Sequence, residues 1–229
     1  MNAIYRREMK AYFTSPVAYI VIALMFFWQA RSFMELFTAG QSQISLLFST
    51  NFILILFVIP FLTMRLISEE KRQKTEQLLL TAPVKLTSIV MGKFFATLTV
   101  FGISLSISII FEIILNAYIT MDWILFLANF IGTLLLAAAL IGLGEFVSSL
   151  TESQALAAAM SIAISLLLLI TGMVTAPGIS TVLSWIAFMT RFQSFVNGEL
   201  DYSNVLFFVS VSAVFLFLTV RVLDKKRWA

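Results

Sequence analysis

Six runs of apolar residues dominate this chain, at approximately 17–37, 46–64, 88–115, 123–149, 154–174 and 205–223. A helix that crosses a bilayer needs about 20 apolar residues. Within lipid every backbone N–H and C=O must find its partner inside the segment, so runs of this length specify helices. Composition agrees. The 229 residues are 60% hydrophobic and 12% charged, with a mean hydropathy of +0.99. Soluble domains carry roughly 45–50% apolar and about 25% charged residues, so this chain could not cover a globular surface with polar groups. The expected fold is an all-α integral membrane protein, with residues 1–229 forming one domain of six transmembrane helices.

The composition also excludes chemistry. The chain has no Cys and no His, which removes disulfides, thiolate catalysis, haem ligation and His-based relays or metal sites. No G-x-x-x-x-G-K-[ST] pattern is present: Gly92-Lys93 is followed by Phe94, with no glycine five residues earlier. The chain is therefore expected to bind no nucleotide through a P-loop of its own. No paired arrangement of Glu, Asp, Ser or Lys suggests an intramembrane enzyme, and no internal repeat suggests a secondary transporter.

Residues 2–14 read as an amphipathic interfacial helix. Tyr5, Met9, Tyr12 and Phe13 fall on one face, and Arg6, Arg7 and Lys10 on the other, a pattern suited to the headgroup plane. Pro16 then ends it. The following run closes on Phe27-Trp28-Gln29-Ala30-Arg31, with bulky Trp28 where a signal-peptide cleavage site requires a small residue, so the segment is expected to remain as the first span. Orientation follows from the basic residues. Arg6, Arg7, Lys10, Arg65, Lys71, Arg72, Lys74, Lys85, Lys93, Arg221, Lys225, Lys226 and Arg227 share the side of both termini. Those are 13 of the 15 Lys and Arg, and only Arg31 and Arg191 lie opposite. Both termini and the 65–87 loop are expected to be cytoplasmic.

Within the spans, Pro60 marks a kink site. Gly132, Ala137, Gly142 and Gly144 of the fourth span, with Ala155, Ala157, Ala158 and Ser161 of the fifth, predict close packing between those two. Glu112, Glu145 and Asn51 are candidates for a translocation path, since an ionisable or polar group in a span is costly unless used. Both glutamates lie near span ends, where snorkelling to water is the competing expectation.

The loop 65–93 reads RLISEEKRQKTEQLLLTAPVKLTSIVMGK. Glu70 with Lys74, and Arg72 with Glu76, are i, i+4 pairs that support a surface helix. A leucine patch follows, then Ala82-Pro83 stops the helix, and Thr87 or Ser88 caps the third span. A charged helix with a leucine tip suits a cytoplasmic partner's groove; a solvated loop obeying the positive-inside rule is the alternative.

This loop resembles that of ABC-2 type permeases, in which an acidic residue and basic residues precede Thr-x-x-Leu-Leu, a small residue, Pro and a later Gly-Lys. The matching residues are Glu69, Glu70, Lys71, Arg72, Thr75, Leu78, Leu79, Pro83, Gly92 and Lys93. Many members have Gly before the Thr, where this chain has Lys74. The resemblance implies a coupling helix that docks on an ATPase subunit, with Glu69, Glu70, Arg72, Thr75, Glu76, Leu78, Leu79 and Pro83 as the coupling residues. Toward the C-terminus, Phe192, Phe195, Gly198, Asp201, Arg221, Arg227 and Trp228 match the small gliding-motility-associated branch. Arg191 and Gln193 stand where that branch often has His and an acid.

Residues 175–204 hold an apolar stretch too short to span, Val182 to Met189, followed by Arg191, Gln193, Asn197, Glu199 and Asp201. That pattern predicts an outer re-entrant or interfacial hairpin, and the resemblance implies short outer helices there. Arg191, Phe192, Phe195, Gly198 and Asp201 are its candidate residues. The function implied is that of a non-catalytic permease subunit, most often an exporter, working by alternating access. Its partners would be a separate ABC-type ATPase that binds ATP and Mg, a second copy or a related permease, and the lipid bilayer of the cytoplasmic membrane. No nucleic acid and no cofactor of its own are expected. The rival reading is a non-transporting anchor or scaffold for an envelope or motility assembly.

Overall fold

The computed structural model describes residues 1–38, 45–75, 84–118, 122–171 and 187–227. Among these, every regular element is an α-helix. In chain order they are α1 (Asn2–Thr14), α2 (Pro16–Thr38), α3 (Ser45–Thr63), α4 (Ser68–Arg72), α5 (Leu86–Leu105), α6 (Ile107–Tyr118), α7 (Trp123–Leu150), α8 (Gln154–Thr171), α9 (Phe188–Val196) and α10 (Tyr202–Arg227). Six segments are long and apolar enough to cross a membrane, beginning at Pro16, Ser45, Leu86, Trp123, Gln154 and Tyr202. The protein is an all-α, six-span, multi-pass membrane protein. Exposed apolar side chains such as Ile20, Phe27, Leu167, Leu206 and Phe217 on α2, α8 and α10 form the outer face that lipid would solvate.

α7 is the central post, packed by α3, α5, α8, α9 and α10. Its glycines admit three different neighbours: Gly132 takes the Phe195 ring of α9, Gly144 takes Thr63 of α3, and a Cβ on Gly142 would lie 3.2 Å from the Ser212 carbonyl oxygen of α10. The fifth span packs on α7 as expected, but these three glycines serve other neighbours. At 3.6 residues per turn, positions 132, 142 and 144 point about 0°, 280° and 120° around the axis, so they cannot serve one partner. α8 buries only Ala157, Ala158, Ser161 and Ser165.

The third apolar run is two helices rather than one. The Ser106 N–H is shared between the carbonyls of Gly102 (3.0 Å) and Ile103 (3.2 Å), and Ser106 Oγ donates to Ile103 O at 2.7 Å. From α2, Gln29 Nε2 donates to the Ser104 carbonyl at 3.2 Å. A Gly/Ser pair and a side chain inserted into the backbone ladder both break helices, and they coincide here.

α1 is amphipathic as the spacing requires, but its apolar face lies on the protein. Tyr12 is buried, while Tyr5, Met9 and Phe13 pack on the core. Arg6, Arg7 and Lys10 point outward. Gly92 of α5 makes this docking possible, because a Cβ there would sit 2.9 Å from Ile4 Cγ2. The Tyr5 hydroxyl donates to Thr99 Oγ1 at 3.1 Å. α5 itself begins at Leu86 with Lys85 in the cap position and no side-chain cap. The capping roles expected of Thr87 and Ser88 are therefore corrected: both already lie in the first helical turn.

Candidate functional site

The segment joining α3 to α4 is fastened from three sides. From α7, Ser148 Oγ accepts from the backbone N–H groups of Ile67 and Ser68, each at 3.1 Å, and donates to Met64 O at 3.2 Å. The buried Lys71 Nζ donates to the Ser149 carbonyl. From α1, the Tyr12 hydroxyl lies 2.8 Å from Leu62 O and 2.9 Å from Thr97 Oγ1. Burial pushes this phenol well above its usual range, against the opposing pulls of Thr97 and the Arg65 guanidinium, so it stays a donor. Arg65 lies 4.8 Å over the Tyr12 ring, donating to Ser15 Oγ at 2.6 Å and to Ala11 O at 3.3 Å.

The third fastening is Lys93, on the first turns of α5, whose side chain is 2% exposed. Its ammonium donates to Leu66 O at 2.6 Å and to Glu8 Oε1 at 3.1 Å, and pairs with Glu70 Oε1 at 2.9 Å. Arg7 completes the cluster at 2.5 Å from Glu70 and 3.6 Å from Glu8. Two cations and two carboxylates from α1, α4 and α5 thus form a neutral quartet. A buried ammonium is tolerated only when its donors and charge are matched in this way. The i, i+4 pair expected between Glu70 and Lys74 does not form, because Glu70 is held by Lys93 and Arg7. Lys74 sits past the helix end with φ +58°.

That end is a Schellman cap. Thr75 N–H donates to Glu70 O at 2.9 Å, and Lys74 N–H to Lys71 O at 3.0 Å. The motif places residue 74 in the left-handed region, where glycine is normally found. The departure from the permease pattern therefore falls on the one position of this turn whose backbone favours Gly. Of the sequence-selected coupling residues, Glu69, Glu70, Arg72 and Thr75 lie on α4 and its cap. Glu76, Leu78, Leu79 and Pro83 lie outside the described residues, as does the pairing of Arg72 with Glu76.

The polar residues selected within the spans sit apart from this quartet's hydrogen bonds. Glu112 on α6, Glu145 on α7 and Asn51 on α3 are each 0% exposed. Both oxygens of each glutamate, and both polar atoms of Asn51, have no hydrogen-bond partner. Snorkelling is thus corrected, since both glutamates face the interior of the bundle. Asn129 does bond between helices, donating to Val196 O at 3.4 Å.

On the opposite end, Phe192 and Phe195 are fully buried on α9. Gly198 ends α9 at φ +87° in a second Schellman cap, with Glu199 N–H on Ser194 O at 2.9 Å and Gly198 N–H on Phe195 O at 3.0 Å. Asp201 caps α10, accepting from Ser203 N–H at 3.0 Å. Arg191 donates to Asn204 Oδ1 at 3.0 Å and lies 4.4 Å over the Phe207 ring. These residues build the α9–α10 corner. The hairpin's first half, 172–186, lies outside the described residues.

Sequence reading passed over Glu8, Arg7, Tyr12 and Ser148 as site residues, and took Lys93 only as one basic residue of a motif. A signal for two of them existed. Glu8 is the one acid among the bases of α1, and Lys93 is the one charged residue of α5.

No curated protein matches the chain. The family model described as ABC-2 family transporter protein matches residues 14–223, from the last residue of α1 through all six spans. With the matching permease-type loop held at the quartet, the chain belongs to the ABC-2 transporter family.

Proposed function

We propose that the chain is the permease subunit of an ATP-binding cassette exporter in the cytoplasmic membrane, with both termini and the 65–87 loop in the cytoplasm. A separate ATPase subunit would dock on residues 69–82, bind ATP and Mg, and drive alternating access in a dimer of this chain or a pair with a related permease. Hydrolysis belongs to the partner. The C-terminal residues Phe192, Phe195, Gly198, Asp201 and Arg221 favour the gliding-motility-associated branch.

The observation that carries this reading is the Lys93 quartet. Glu70 on the loop, Glu8 on α1 and Lys93 on α5 are tied through one buried ammonium. A push on the loop would reach the first span through α1 and the third span through α5. Ser148 extends the tie to the central α7. Copurification with a P-loop ATPase and ATP-dependent transport in reconstituted vesicles is the expected result. Combined Glu76→Ala, Leu78→Ala and Leu79→Ala substitutions should abolish ATPase binding while leaving insertion intact. Unchanged binding and transport in that variant, or a reconstituted complex that moves no cargo in any nucleotide state, would replace this reading with the scaffold.

A further inference from the structure

A cavity of about 640 Å³ lies between α1 and the α3–α4 segment. It sits at the edge of the hydrocarbon region: Arg65 follows the end of α3, and its partner Ser15 directly precedes α2, so the floor lies where two spans enter lipid. Among the described residues, six charged side chains line it. Four of them, Arg7, Glu8, Glu70 and Lys93, neutralise one another in the quartet. The other two, Arg65 and Glu69, make no ion pair among the described residues, with each other or elsewhere. Arg65 uses donors on two neutral oxygens and keeps others free. Glu69 accepts one side-chain bond, from Gln73 Nε2 at 3.2 Å.

The cavity therefore offers one uncompensated cation and one uncompensated carboxylate, four residues apart in sequence, beside a neutral surround. We propose that it binds a zwitterionic phosphoamine headgroup, the phosphate on Arg65 and the primary ammonium on Glu69, carried by an aminophospholipid. A guanidinium takes a phosphate through paired N–H donors, and a primary ammonium donates hydrogen bonds to a carboxylate. A trimethylated amine has no N–H for Glu69. A purely anionic headgroup would place its charge against Glu69 with nothing to offset it. The site thus selects phosphatidylethanolamine over phosphatidylcholine and phosphatidylglycerol. Glu69 opens the 69–82 segment proposed to dock on the ATPase, so headgroup binding is read on the chain without that partner.

The test titrates the delipidated full-length chain with each of these three lipids, matched in acyl chains, and counts bound lipid by native mass spectrometry. Phosphatidylethanolamine should bind about tenfold more tightly than the other two, the size of one charge-assisted hydrogen bond. Glu69→Gln should remove that preference and leave phosphatidylcholine binding unchanged. Because Arg65 also holds α1, the charge-conserving Arg65→Lys variant is used for the phosphate half. It should weaken phosphatidylethanolamine and phosphatidylcholine alike while the thermal midpoint reports an intact fold. Soluble O-phosphoethanolamine that displaces the bound lipid supports the headgroup chemistry with a free ligand as a further source; a selective lipid that resists displacement supports the membrane as the source. Equal binding of all three lipids, or a Glu69→Gln variant with undiminished preference, overturns the proposal.

Discussion

At the basic end of the bundle, Lys93 is buried with three acceptors around its ammonium. Elsewhere in the bundle, Glu145 and Glu112 are as buried and accept no hydrogen bond, although Glu145 lies within electrostatic reach of Lys93. The two regions solve the problem of charge in lipid differently. Around Lys93, partners come from α1, α4 and the α3–α4 turn, so the charge is held at the cost of fixing those elements together. Glu145 sits one helical turn from Ser148 on α7, yet Ser148 is the residue that grips the loop. A matched buried ion is a structural fastener, and removing one member leaves the others uncompensated. A buried carboxylate with neither hydrogen bond nor nearby cation, such as Glu112, contributes no such hold, and the folded state carries its desolvation.

That contrast can be broken or sharpened by substitution, with thermal unfolding in detergent as the common measurement. Lys93→Met should have the largest effect, about 3–5 kcal/mol of destabilisation, since Glu8 and Glu70 would keep only the half-exposed Arg7 against their two charges. Tyr12→Phe should follow, at about 1–2 kcal/mol, from losing a buried donor to the Leu62 carbonyl. Lys74→Gly should act in the opposite direction, stabilising by about 1 kcal/mol, because residue 74 sits at positive φ. Glu112→Gln should be the smallest, within about 0.5 kcal/mol of the parent or slightly more stable, since no partner is lost. If Glu112→Gln matched Lys93→Met, the two regions would be one network and the comparison would fail.

The six spans and the amphipathic helix α1 were legible in sequence because each depends on local hydrophobicity and spacing. The break in the third span was not. It needs Gln29, 75 residues away, to occupy the Ser104 carbonyl, alongside a Gly102–Ser106 pair that periodicity does not weigh. The partners of Lys93 were hidden for the same reason, since Glu8 lies 85 positions away. The loop's coupling residues were selected through resemblance, and the structure places four of them on α4 and its cap. Lys74 is the instructive case. In the sequence it is a departure from a glycine pattern, and only the φ of +58° shows what that glycine would do there. The neighbours of the α7 glycines were not legible, because composition counts glycines while helical geometry sends each to a different partner.

The central claim is that the loop and α1 move as one body because Lys93 ties them. The chain lacks cysteine, so spin labels can be placed without background at Arg6→Cys on α1, Arg72→Cys on α4 and Gln154→Cys at the start of α8. In a complex with the proposed ATPase, pulsed electron resonance distances would be compared without nucleotide and with ATP trapped. The distance between labels 6 and 72 should stay constant, that between 72 and 154 should change, and the first constancy should be lost in Lys93→Met. A 6–72 distance that shifts with nucleotide in the parent protein would contradict that claim.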